Sequence, residues 1–180
     1  MNGARTLILA AGRGRRAGGA KAWRPYKGKS LIEAHLDFFR DLCGAAAISV
    51  AIQPEWLSRC MELSPQTLWV SADPDAEPLD SLQRLIAASP AARSFVLHVD
   101  MPVFDRSVYE TLWMTTCDAV VPVFNGRRGH PVLLSPPALA RIAALDGKKD
   151  RLDAWLRSQE SFAASVSTDV IFKNMNEASA

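Results

Sequence analysis

Cysteine is scarce in this chain, and its scarcity narrows the options at once. Cys43, Cys60 and Cys117 are the three among 180 residues. An odd number, widely spaced and without a C-x-x-C pair, argues against a disulfide framework and against a zinc site. Long apolar runs are missing too, since nothing approaches the roughly 18 residues needed to cross a bilayer. The apolar stretch Thr6 to Ala11 is shorter than a signal-peptide core and runs into arginines, so secretion is not expected. No internal repeat, low-complexity segment or serine or cysteine with a nucleophile signature is present. The expectation is a soluble, reduced, cytoplasmic protein with no membrane partner, a single domain over 1–180, with 48% hydrophobic content to build its core.

One further absence is local. Between Arg13 and Lys29 there is no carboxylate, yet Arg13, Arg15, Arg16, Lys21, Arg24, Lys27 and Lys29 all fall there. The whole chain is only +2, so removing these seven leaves the remainder at −5. Basicity confined to one loop suits a small polyanion such as a nucleoside triphosphate better than a long nucleic acid, and no aromatic-interleaved basic stripe occurs elsewhere. Gly12, Gly14, Gly18 and Gly19 punctuate the same loop, leaving backbone N–H groups free to approach an anion.

Strand-like and helix-like patterns alternate. Strands are predicted at Arg5 to Ala10, Ala46 to Ile52, Thr67 to Ser71, Ser94 to Val99, Ala119 to Phe124, Pro131 to Leu134 and Val170 to Phe172. Ser30 and Glu33 form a capping box that opens a helix ending at Gly44. Pro54, Pro78, Asp105 and Ser135-Pro136 each mark a further helix start, and Asp150 to Arg157 reads as one more. Such alternation predicts a Rossmann-like, three-layer α/β/α fold with a mostly parallel sheet. Ligands of such sheets sit at the carboxyl ends of strands, where the glycine loop and Asp100 both emerge. His98 and His35 read as structural histidines.

Two phosphate-loop patterns fail. Gly12 to Ala17 fits G-x-G-x-x-G/A, but the loop runs on and the second strand ends Ala51-Ile52-Gln53 with no acid for a ribose. Gly28-Lys29-Ser30 imitates the end of a Walker A motif, but Trp23 stands where its first glycine belongs.

A third pattern covers nearly the whole chain. LAAGRGRRAGGAK, Leu9 to Lys21, resembles the L-A-[AG]-G-x-G-x-R-x-G-G-x-K signature of the MobA-like NTP transferases. His98-Val99-Asp100-Met101-Pro102 resembles that family's D-x-P, Arg128 to Leu133 its G-H-P-V-L, and Phe172 to Asn176 its F-x-N-x-N. The resemblance implies a nucleotide-diphospho-sugar transferase type of fold and an enzyme that joins NMP from CTP or GTP to a small phosphorylated acceptor, molybdopterin foremost, releasing pyrophosphate. It places Leu9, Ala10, Ala11, Gly12, Arg13 and Gly14 around the triphosphate, Arg16 and Lys21 on its charge, and Mg²⁺ on Asp100 with Asn176. Gln53, Asp73 and Ser81 fall near base or ribose, with Asp75 a rival to Asp73, and His130 near the acceptor. A sugar phosphate or phosphoalcohol acceptor, or a non-catalytic nucleotide-binding module, are the alternatives.

Overall fold

The computed structural model describes residues 1–14, 19–147, 149–158 and 161–175. An eight-stranded sheet organises them. Its strands are β1 (Arg5–Leu9), β4 (Ile48–Ile52), β5 (Leu68–Ser71), β6 (Ser94–His98), β7 (Ala119–Phe124), β8 (Arg127–Arg128), β9 (Val132–Leu134) and β10 (Phe162–Ser165). A separate two-stranded hairpin pairs β2 (Pro25–Tyr26) with β3 (Lys29–Ser30). In space the main sheet runs β10-β7-β9-β6-β1-β4-β5, with β8 folded onto β7. β1 is parallel to both of its neighbours, β4 and β6, so the order reverses there and opens a crevice at the carboxyl ends.

Alternation along the strands builds two cores. Ile8, Val50, Ile52, Phe95 and Leu97 face the helices α1 (Leu31–Cys43), α2 (Leu57–Leu63) and α4 (Arg106–Trp113). Leu7, Leu9, Ala51, Val96 and Val132 face α3 (Pro78–Ala88), α5 (Pro136–Ala143) and α6 (Leu152–Ser158). The period of two along each strand therefore sorts apolar residues to both sides, giving the expected three layers.

Local chemistry sets the helix ends. Ser30 Oγ accepts from the Glu33 N–H, and the Glu33 carboxylate accepts from the Ser30 N–H at 2.8 Å. Gly44, at φ 89°, terminates α1 in a conformation that costs other residues strain. Asp105 and Ser135 cap α4 and α5 through the N–H groups of Ser107 and Ala138. From Pro54 the chain makes one 3₁₀ turn, Pro54–Trp56, before α2 begins.

One expectation needs correction. Val170 to Phe172 is not a strand but part of a 3₁₀ turn, Asp169–Phe172, whose start Thr168 caps. The last strand is instead β10, which carries a single buried residue, Ala164, and pairs parallel with β7. The sheet is mostly parallel, as expected, with β9 running antiparallel to both β6 and β7. Only a short segment joins β7 to β9, and a parallel crossover needs a dozen residues or more. No described helix is long and apolar enough to cross a membrane, and the three cysteines are free.

Two buried polar side chains pin the turn that leaves β6. His35, fully buried on α1, donates from Nε2 to the Val99 carbonyl at 2.8 Å, and the Tyr109 hydroxyl donates to the Val103 carbonyl at 2.9 Å. Since the carbonyl only accepts, the proton of neutral His35 sits on Nε2, and Nδ1 has no partner among the described residues. Burial pushes His35 down to about 4. A depressed histidine stabilises the fold above its unfolded pKa, near 6.5, and that contribution is lost as pH falls toward the folded value. Urea unfolding should accordingly find His35→Phe less acid-sensitive than the native chain, by about 3 kcal/mol between pH 6.5 and 4. Parallel pH profiles for the two proteins would contradict this assignment.

Candidate active site

Asp100 leaves β6 at the rim beside the reversal in strand order, and Lys21 comes to meet it. The Lys21 Nζ lies 2.8 Å from Asp100 Oδ2, with side-chain exposures of 25% and 6%. A carboxylate this buried demands a positive partner, and 79 residues of sequence separate the two. Backbone contacts hold the turn: Val99 N–H donates to Leu9 O, Met101 N–H to His98 O, and Met175 N–H to Asp100 O at 2.7 Å. Arg24 also donates to the Met175 carbonyl, so Met175 is held by Asp100 through its N–H and by Arg24 through its C=O.

Between these groups lies a cleft of about 310 Å³. Leu9, Ala11, Gly12 and Lys21 form its phosphate-loop side, Asp73 and Ser81 the side toward β4 and β5, and His98 and Asp100 its far wall. Ser81 is nearly buried on α3, while Asp73 uses one oxygen to accept from the Asp75 N–H at 2.9 Å. Gly14 takes φ 62°, and a Cβ there would lie 2.0 Å from the Gly19 carbonyl oxygen. Gly14→Ala should therefore force the loop open and weaken nucleotide binding about ten-fold, with little change in melting temperature because Gly12, Arg13 and Gly19 around it are exposed. Calorimetric titration of Mg·NTP on the variant checks this, and native affinity would refute it.

Not every expected residue faces the cleft. Ala10 continues β1, donating to Ala51 O, and its side chain packs in the core under α1. Gln53 is buried beneath the glycine loop and donates to the Gly12 carbonyl at 2.9 Å. Arg13 forms a forked pair with Asp75, at 2.6 and 2.5 Å, that joins the glycine loop to the acidic loop. This pair raises the Arg13 pKa, first through the hydrogen bonds and then through charge. Arg16 and Asn176 lie outside the described residues.

His130 is fixed by its N–H, which donates to Ile171 O at 3.0 Å, and is followed by a cis peptide bond to Pro131. Burial pushes His130 down to about 4, with His98 adding to the fall and Asp100 opposing it. His98 is lowered as well, by burial first, against the pull of Asp100. Sequence reading left His98 in the core; the structure puts it in the cleft wall. Its place as the last residue of a buried strand, two before Asp100, was the available signal.

Residues 6–163 match the MobA-like NTP transferase domain family. The chain belongs to that family. Members among its relatives include a molybdenum cofactor cytidylyltransferase of Escherichia coli, 26% identical over 135 residues, covering 74% of this chain and 70% of that protein. A molybdenum cofactor guanylyltransferase of Rhizobium meliloti is 28% identical over 159 residues, covering 86% and 69%. Among solved structures, a Mycobacterium tuberculosis protein in complex with manganese superposes with a TM-score of 0.65 at 19% identity, covering 91% of this chain and 88% of that one. As a MobA-like NTP transferase the chain is a nucleotidyltransferase.

Proposed function

We propose that this protein transfers CMP or GMP from the corresponding triphosphate to the phosphate of a small acceptor, molybdopterin, with release of pyrophosphate. A phosphate oxygen of the acceptor forms a bond to the α-phosphorus, and the bond to the bridging oxygen of pyrophosphate breaks. The observation that supports this reading is the meeting of Lys21 and Asp100 in the wall of a cleft that Ala11 and Gly12 of the glycine loop also line. The two relatives above divide between cytidylyl and guanylyl transfer, so either nucleotide is in keeping with them.

The donor set suits Mg²⁺. This ion commonly takes one or two carboxylates, substrate phosphates and waters rather than a protein cage, and no group of three or more described His, Cys, Asp or Glu side chains is placed to hold a metal. Asp100 would hold it, with Asn176 as the second candidate ligand. When bound, the ion neutralises phosphate charge and polarises the α-phosphoryl group. Lys21 then has two partners to choose between. Without nucleotide it is the counter-ion of Asp100; with Mg·NTP present, its ammonium turns to the phosphates, so neither charge is left unpaired. The N–H groups of Ala11 to Gly14 and the side chain of Arg16 add to that phosphate clamp, while Arg13 must release Asp75 before it can join. Asp73 and Ser81 offer an acceptor and a hydroxyl to base or ribose.

Pyrophosphate release measured with each of the four NTPs, against molybdopterin, a sugar phosphate and a phosphoalcohol, tests the proposal. It predicts turnover with molybdopterin and CTP or GTP, dependent on Mg²⁺. Tight Mg·NTP binding without turnover of any acceptor would mark a binding module instead.

A further inference from the structure

Strand order lays out the rim of the cleft in a line. β6 has β1 parallel on one side and β9 antiparallel on the other. The loop after β1, the turn after β6 and the segment before β9 therefore emerge at the same edge of the sheet. These are the glycine loop, Asp100, and Gly129-His130-Pro131, in that order. If pyrophosphate leaves toward the glycine loop, the attacking oxygen has to enter from the opposite side, because entering and leaving oxygens lie roughly in line at phosphorus. That side is the β9 side.

His98 stands there. It lines the cleft together with Asp100 and Lys21. The register Ser94↔Leu134, Phe95↔Leu133, Val96↔Val132 ends two residues short of both His98 and His130, and the two rings lie close enough for the charge of one to act on the other. His130 therefore neighbours the part of the cleft wall that His98 forms. The segment carrying His130 is held firmly. Gly129 N–H donates to Pro122 O at 2.9 Å, and a side chain at Gly129 would come within 2.7 Å of Ile171.

We propose that His98 is a substrate-positioning residue which, with His130, receives the phosphate of the acceptor on the β9 side of Asp100. This rests on the nucleotidyl-transfer reading and deepens it by naming the side chains that would receive the acceptor's phosphate. Imidazole N–H groups donate to phosphate oxygens without adding a carboxylate that would repel them. A phosphate oxygen already carries the electron pair that attacks, so these residues hold and aim the nucleophile rather than deprotonate it. A free alcohol would need a general base at the same place.

Native protein, His98→Ala and His98→Gln are compared as full chains, with melting curves to establish folding. The Ala variant should raise the acceptor KM about ten-fold and leave the affinity for Mg²⁺ with an α,β-methylene nucleotide within about two-fold. Gln, which restores an N–H donor, should recover part of the loss. An unchanged acceptor KM, or equal losses for acceptor and nucleotide, would overturn the assignment. If the native protein turns over no acceptor, the function proposed above fails, and a second arm still decides this inference. Inorganic phosphate is titrated calorimetrically onto each protein with Mg²⁺ and the methylene analogue. Weaker phosphate binding by His98→Ala supports the site; equal binding removes it.

Discussion

Replacing Asp100 by alanine is expected to lower nucleotidyl transfer about a thousand-fold while leaving the fold intact. The functional loss follows from position. Asp100 lines the cleft next to Lys21, at the rim shared by the glycine loop and the reversal in strand order, and under the proposed function it would hold the metal on the triphosphate. The fold should survive because the turn is held by backbone groups, Met101 to His98 and Met175 to Asp100, and by His35 on Val99, none of which uses the Asp100 side chain. Freed from its partner, Lys21 is exposed enough to take water. Residual activity should no longer respond to Mg²⁺ concentration. Retention of a tenth or more of native kcat/KM, in a folded variant, would remove Asp100 from the chemistry.

Lys21→Met is expected to lower kcat/KM about a hundred-fold or more, for a different reason. Here the carboxylate remains to hold metal, and the loss falls on neutralising the departing pyrophosphate. The same substitution has a stability signature. It strips a nearly buried carboxylate of its counter-ion, which should destabilise the ligand-free protein by about 1–3 kcal/mol. Asp100→Asn in the same chain should return most of that stability, because the charge that lost its partner is then gone. Stability is therefore recovered in the double variant and activity is not. A denaturation cycle with additive losses would mean that the 2.8 Å pair contributes nothing to the fold.

What could be read from the chain beforehand follows from how local each signal is. The Ser30–Glu33 box, the Gly44 terminator and the apolar runs of β1, β4 and β6 are written within a few residues, and each stands where expected. β10 was missed because an exposed edge strand with one buried residue has no hydrophobic period to detect. Val170 to Phe172 misled in the opposite sense: apolar and β-branched residues look like strand, but the Thr168 cap and burial of Ile171 wind them into a 3₁₀ turn. At the site, the approach of Lys21 to Asp100 was deducible because parallel strands deliver their following loops to one edge. The partner of Arg13 was not, since nothing near residue 13 announces Asp75, 62 positions away. Gln53 illustrates a related limit. Strand position placed it at the rim, yet its amide faces the underside of the loop and supports Gly12.

A structure of the protein with Mg²⁺ and an α,β-methylene analogue of CTP or GTP interrogates the shared grip on the triphosphate directly. The metal should sit on the Asp100 carboxylate, and Lys21 Nζ should have left Asp100 for a β- or γ-phosphate oxygen, with the N–H groups of Gly12 to Gly14 turned toward the same chain of phosphates. A nucleotide bound elsewhere, with the 2.8 Å contact between Lys21 and Asp100 still closed, would contradict it.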